Sequence, residues 1–344
     1  MNIRVFLGTG GVGKTSVAAA AGLQAALGGK KCLVLTIDPA LRLRTALRLK
    51  AGQGEQKVPL DSFHTGGELW AAMLDVGATL NRAVKLYSKP EQAEAVLKHP
   101  IYHVLVASLA GMQELIAIER LDQAMKDGFD TIIIDTAPSR HAFEFLDKPE
   151  FFVQLVSFPI VQLVGRTYKW WEHSFLSQLS RKSLELYSRL EALLGTTLVR
   201  QILDFYAVFF SIAEGYADRA KHTASLLRDA RTASFCIVTT PLKAGRDGEY
   251  FLGELKKRKF PVKSLLMNRI WPAPQTALPP DCPALMQQAV TWYSDVSDAH
   301  QRAWNKVSHE FSGRIPNLIR ISELPRDIDG LDALHQMSQS MVGI

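Results

Sequence analysis

Eight residues near the amino terminus constrain this chain more than any other feature: Gly8-Thr9-Gly10-Gly11-Val12-Gly13-Lys14-Thr15. They match GxxxxGK[ST] in full, follow the short apolar run Ile3–Leu7 and lead into the alanine-rich stretch Thr15–Leu27. A strand, a glycine turn and a helix in that order make a loop whose backbone N–H groups converge on phosphate oxygens. Gly10, Gly11, Val12 and Gly13 supply that cradle. Lys14 is spaced to reach the β- and γ-phosphates, the Thr15 hydroxyl to ligate Mg²⁺, and Ser16 to help at the α-phosphate. The ligand this motif implies is a nucleoside triphosphate with Mg²⁺.

The pattern beyond the loop places it in an α/β protein. Lys31–Ile37, Leu69–Asp75, Thr131–Ile134, Ser234–Thr239, Val262–Asn268 and Asn317–Ile321 read as further strands. Met112–Lys126 carries apolar residues at Leu115, Ile118, Leu121 and Met125, the spacing of a helix with one buried stripe. Near-continuous apolar strands separated by helices predict a doubly wound, mainly parallel sheet covered on both faces, a P-loop NTPase fold. Residues 151–230 differ: they are apolar and aromatic, then helical in spacing, and read as an inserted helical subdomain. The expected division is a nucleotide-binding domain begun by 1–150, the helical insertion 151–230, and completion of the first domain by 231–344. A proline-rich loop with Pro272, Pro274, Pro279, Pro280 and Pro283 precedes a long polar helix over Ala284–Ser312.

Composition narrows the class. The chain has 344 residues, 47% hydrophobic and 22% charged, which is a globular profile with a substantial core. A net charge of +6 is small for this length, so nucleic-acid binding is not indicated. The three cysteines, Cys32, Cys236 and Cys282, form no CxxC pair, which argues against zinc and suits a reducing compartment. The apolar runs His99–Gln113 and Phe151–Gly165 are too short to span a bilayer, and the start Met1-Asn2-Ile3-Arg4 lacks a signal-peptide layout. A cytoplasmic protein is expected.

Two carboxylates can complete the metal site. Asp38 and Asp135 each follow an apolar strand, which puts both at the carboxyl edge of the sheet beside the phosphate loop. Asp135 is placed as a Walker-B residue that holds Mg²⁺, and Pro39 fixes the chain as it leaves Asp38.

Several segments together resemble the ArsA-like ATPases, a family that includes the arsenical-pump ATPase and ATPases that target tail-anchored membrane proteins. They are Gly10–Thr15, Asp38-Pro39-Ala40 and Asp135-Thr136-Ala137-Pro138-Ser139-Arg140-His141. Gly111-Met112-Gln113-Glu114 is similar to the family's PGxxE helix start. Thr36–Ala40 and Glu144–Asp147 look closest to bacterial members of uncharacterised client. The resemblance implies a homodimer or pseudo-dimer of P-loop domains that ATP closes and hydrolysis or release opens. It places Asp38, Pro39 and Thr45 in switch I and Asp135, Pro138 and His141 in switch II, with Lys14, Asp38 and Asp135 as the catalytic set. Asn268, in Met267-Asn268-Arg269, resembles the strand-end residue that reads adenine, and Pro325, Arg326 and Asp327 resemble the family's adenine loop. A hydrophobic client protein or membrane segment would then bind at 151–230.

Two departures qualify that picture. The family begins the loop with a lysine that reaches the partner's phosphates, and here the residue is Thr9. Comparable trans charges in phosphoryl transfer are worth roughly 10³–10⁵ in rate. Seven residues after Asp38 the family has an aspartate to which orientation of the attacking water is assigned, and here it is Thr45. Loss of such a group costs about 10²–10⁴. The expectation is a protein that binds Mg-ATP and hydrolyses it weakly alone. An alternative is a regulatory or scaffold subunit, a pseudo-ATPase that pairs with a paralogue in a heterodimer. A partitioning ATPase on DNA or membrane is a third reading, disfavoured by the helical insertion. No arsenite site is expected from three scattered cysteines.

Other features have plainer readings beside functional ones. Phe151, Phe152, Phe158, Tyr168, Trp170, Trp171 and Phe175 suit core packing beneath a lid, a client groove or peripheral membrane contact. Lys256–Lys259 is a basic run near a helix end, where cations complement the dipole, and reads as a solvated face or as a contact for anionic lipid or nucleic acid. Arg42, Arg44 and Arg48 either meet phosphate or an acidic surface, or face solvent.

Overall fold

The computed structural model describes residues 1–37, 42–50, 54–109, 113–137, 192, 195–196, 218–274 and 282–341. In chain order the elements are β1 (Asn2–Leu7), α1 (Lys14–Leu27), β2 (Lys31–Thr36), α2 (Arg42–Ala46), β3 (Glu55–Val58), β4 (Glu68–Met73), α3 (Val76–Tyr87), α4 (Pro90–Lys98), α5 (Pro100–Leu109), α6 (Gln113–Lys126), β5 (Thr131–Asp135), α7 (218–228), β6 (Ala233–Thr239), α8 (Ala244–Lys257), β7 (Val262–Ile270), α9 (Ala284–Phe311), β8 (Asn317–Ser322) and α10 (Leu331–Gln339). The chain groups into two compact units. One comprises Met1–Met73, Ala124–Ala142 and Ser225–Ile344, the other Leu74–Gln123 and Phe143–Ala224.

Among the described residues, the first unit holds one eight-stranded sheet in the order β3-β4-β2-β5-β1-β6-β7-β8. Every neighbouring pair is parallel except β3 and β4. This is the mainly parallel α/β sheet that the apolar runs predict. Its central strands carry no alternation because both faces are covered: every residue of β5 and β6 is buried. Each Ile, Leu or Val so buried contributes roughly 1.5–3 kcal/mol. Strand β3, Glu-Gln-Lys-Val, is short, polar and antiparallel at the edge, so no apolar run announces it. Helix α1 packs a small-residue face on the sheet, with Val17, Ala18, Ala19, Ala20, Ala21 and Leu23 fully buried. The small side chains let helix and sheet approach closely. Gly22 shows how closely, since a Cβ there would lie 2.3 Å from the Val34 side chain. Helix α10 is tied to α1 by the Gln24 amide, whose N–H groups donate to the carbonyls of Ser338 and Met341 at 3.2 and 3.1 Å.

In the second unit, α3, α4 and α5 enclose Val76, Leu80, Val84, Ala93, Val96 and Tyr102, joined by Ile116 of α6. Asp75 caps α3 by accepting the Ala78 N–H at 2.8 Å. A polar network lies beside this core. Arg219 of α7 stacks 3.4 Å over the Tyr87 ring and donates through Nε and Nη2 to Glu119 of α6. Burial raises the Glu119 carboxyl above the usual range, opposed by Arg219 and by the Gln123 amide. The expected insertion 151–230 has only 192, 195–196 and 218–230 among the described residues, and its aromatic stretch Phe151–Phe175 lies outside them.

Candidate functional site

The parallel register carries the carboxyl ends of β1, β2 and β5 to one edge. Asp135 pairs with Phe6 on one side and Thr36 on the other. Its carboxylate Oδ2 accepts the Thr15 hydroxyl at 2.7 Å and the Thr36 hydroxyl at 3.0 Å, and the residue is fully buried. Thr15 lies in the first turn of α1, so the contact joins the phosphate loop to β5 across 120 residues of sequence.

Two glycines explain why the loop can sit there. A Cβ on Gly8 would lie 2.4 Å from the Val238 carbonyl oxygen, so β1 leaves the sheet in contact with β6. Gly13 caps α1 at φ 82°, a left-handed conformation that side chains disfavour, and a Cβ there would meet Asn268 Nδ2 at 2.4 Å. Asn268 uses that nitrogen to donate to the Val12 carbonyl at 2.9 Å. The first turn of α1 holds no acidic side chain, so the positive end of its dipole is left for an anion. Lys14 and Thr15 are only 5% and 7% exposed.

A cavity of about 650 Å³ opens from this edge. Gly11, Gly13, Lys14, Thr15 and Ser16 line one side, and Asn268, Arg326 and Asp327 line the other, within the same unit. The site residues read from the loop and the carboxyl-terminal segment thus share one space. Thr45 of α2 lines it too. Of the remaining sequence candidates, Gly10 is exposed at the loop's outer bend, Val12 is buried beneath it, and Pro325 is exposed next to the lining residues. Asp38, Pro39, Pro138 and His141 lie outside the described residues.

The neighbours of the loop include residues that motif reading passed over. Thr36 is the second hydroxyl on Asp135. Arg269 and Glu323 join the cavity wall. From α8, Asp247 Oδ2 accepts the Thr9 hydroxyl at 2.6 Å. From the turn before α8, Lys243 Nζ donates to the Gly10 carbonyl at 3.0 Å. The three arginines after β2 have separate fates: Arg42 lines the cavity, Arg44 donates to the Leu49 carbonyl, and Arg48 pairs with Asp329. The Arg48 guanidinium makes a two-pronged pair with that carboxylate, Nε to Oδ1 and Nη2 to Oδ2, both 3.0 Å, and holds Asp329 below the usual carboxylate range. The contact links the chain after α2 to the segment that brings Arg326 and Asp327 to the cavity.

The donor set suits a hard cation. Thr15 and Asp135 offer oxygen only, adjacent to the phosphate loop, which fits Mg²⁺. The thiols do not enter: Cys32 and Cys236 are pushed up to about 12 by burial. No group of three or more His, Cys, Asp or Glu side chains that could hold a metal ion occurs among the described residues. Among them, no helix is long and apolar enough to cross a membrane.

Comparison with known proteins agrees in family. An ATPase get3 of Schizosaccharomyces japonicus is 20% identical over 97% of this chain and 90% of its own length. A putative arsenical pump-driving ATPase of Prosthecochloris vibrioformis is 30% identical over 44% of this chain, which spans 36% of that protein. A second protein of that description, from Aquifex aeolicus, is 24% identical over 79% of this chain and 81% of its own length. The match to the anion-transporting ATPase family runs over residues 1–343, and with it the phosphate loop, the Thr15–Asp135 contact and the parallel sheet take their place: the chain belongs to the ArsA ATPase family.

Proposed function

We propose that this protein is an ATP-binding, Mg²⁺-dependent switch ATPase that works as a dimer on a hydrophobic client. The observation that carries the reading is the hydrogen bond to buried Asp135 from Thr15, a residue that lines the same cavity as the rest of the phosphate loop and Asn268, Arg326 and Asp327. Phosphates are cradled by Gly10–Thr15, with charge offset by Lys14. Thr15 and Asp135 hold Mg²⁺, joined by Asp38, and the metal supplies neutralisation of charge on the phosphate oxygens. Arg326 and Asp327 border the space for the base. The client surface is assigned to 151–230, the compartment to the cytoplasm, and the switch to Pro39, Thr45, Pro138 and His141.

A second reading has its own support. Thr9 is neutral and turned toward Asp247, and Thr45 puts a hydroxyl rather than a carboxylate on the cavity wall. Slow hydrolysis follows, and with it a nucleotide-binding subunit that pairs with a paralogue. Phosphate release by the isolated protein, measured beside its size with and without Mg-ATP, separates the two. Nucleotide-dependent dimerisation with turnover that rises in T45D supports the switch ATPase. Nucleotide binding with no dimer and no turnover in either form supports the regulatory subunit. Absence of nucleotide binding overturns both.

A further inference from the structure

We infer that Lys243 is a second cation of the triphosphate site, delivered to the phosphate loop by the turn that follows β6. The inference rests on the nucleotide reading above and adds a residue that no loop motif contains. The chain leaves β6 at Thr239, turns through a Lys243 N–H to Thr240 carbonyl hydrogen bond at 2.9 Å, and enters α8. That turn points Nζ of Lys243 at the Gly10 carbonyl, 3.0 Å away. One helical turn later, Asp247 accepts the Thr9 hydroxyl at 2.6 Å. The start of α8 is therefore bonded to two consecutive residues of the loop, and position 9 brings no charge of its own.

An ammonium has three N–H groups, and its bond to Gly10 uses one of them on a neutral acceptor. A triphosphate on the adjacent amides offers a stronger, charged acceptor a short swing away. A flexible four-carbon stem lets the charge follow the phosphate without moving α8. A diphosphate ends one phosphate earlier and gives this cation less to hold. Lys243 thus favours the triphosphate over the diphosphate, whereas a lysine that only braced the loop would support both alike.

The test is calorimetric titration of the full chain with two Mg²⁺-loaded probes, ADP and the β,γ-imido analogue of ATP. The variants are K243Q and K243R, each checked by thermal melting. K243Q keeps an N–H for Gly10 and loses the charge. The expected result is about tenfold weaker binding of the triphosphate analogue, little change for ADP, and rescue to within about threefold by K243R. The K243Q deficit should also shrink as salt is raised, because it is a charge effect. Equal weakening of both ligands, or no change in either, overturns the role of Lys243 while leaving the nucleotide reading intact. If the unaltered protein binds neither probe, the nucleotide reading falls and this inference with it.

Discussion

The Thr15 hydroxyl donates to Asp135 Oδ2 at 2.7 Å, and the Thr36 hydroxyl shares the same oxygen at 3.0 Å. One buried carboxylate therefore aligns the first residue able to ligate a metal and the strand beside it. D135N keeps the size and removes the charge. We expect it to weaken Mg²⁺-dependent nucleotide binding by about 10–100-fold, the range for groups that orient a metal ligand. Hydrogen bonds to charged groups are worth about 1.5–3 kcal/mol, so a stability loss near that range should accompany it. Titration of a fluorescent ATP analogue with and without Mg²⁺ checks the first claim. Equal affinity of D135N and the parent in Mg²⁺ would remove Asp135 from the site.

Asn268 holds the loop through the Val12 carbonyl, and Gly13 leaves it room to do so. N268D replaces that donor with a carboxylate oxygen facing a carbonyl oxygen in a buried position. It should melt lower than N268A, in which nothing is set against Val12. N268A leaves one buried carbonyl without this bond, at a cost of about 1–3 kcal/mol. G13A adds a left-handed alanine, costing about 1–2 kcal/mol, to an overlap with Asn268. Thermal unfolding of the three variants ranks them, and an N268D that melts at or above N268A contradicts the account.

Much of this was legible in the sequence because parallel, doubly covered strands are written as apolar runs and the phosphate loop is written as glycines. Thr131–Ile134 and Ser234–Thr239 stand out since every position is buried, leaving no polar interruption. The edge strand Glu55–Val58 does not stand out, because only Val58 of its four residues is buried. The helices over 76–109 are similarly quiet: their core is a few residues per helix. The loop residues Lys14 and Thr15 and the cavity residues Asn268, Arg326 and Asp327 were visible as motifs. Lys243, Asp247 and Thr36 were not, since what matters in them is a contact made across the sheet edge, and no local spacing encodes it. Asn268, which the resemblance gives as an adenine residue, lines the cavity and also donates from its amide nitrogen to the Val12 carbonyl.

Cys32 and Cys236 sit fully buried in β2 and β6, and burial pushes both thiols up to about 12. The thiolate is the reactive and metal-binding form, and at neutral pH these two hold their protons. In the native protein a thiol-reactive dye at pH 8 should therefore label at most Cys282, with all three labelled after unfolding. Arsenite, which needs converging thiolates, should leave nucleotide hydrolysis unchanged. Rapid native labelling of two or more thiols, or stimulation by arsenite, would count against this.

The Arg219–Glu119 pair gives the second unit a pH dependence whose sign can be worked out. Glu119 is fully buried in the α6 core, and its pKa is raised, first by desolvation and against the pull of Arg219 and Gln123. The folded protein therefore binds this proton more tightly than the unfolded chain does. Where pH lies between the ordinary glutamate value and the raised one, stability falls as pH rises, by linkage. Below that window the contribution is fully present, and above it the loss is complete. E119Q should flatten this segment of the melting-temperature profile. R219A should act in the opposite sense, because removing one partner leaves a buried carboxylate without its cation, a change that costs about 3 kcal/mol or more. It should also extend the falling segment to higher pH, since the charge that lowered Glu119 in the folded protein is gone while the unfolded value is unchanged. Melting temperatures of the parent, E119Q and R219A from pH 4 to 8 test the sign directly. A parent profile that rises through this window with the same slope in E119Q would show that Glu119 does not set it.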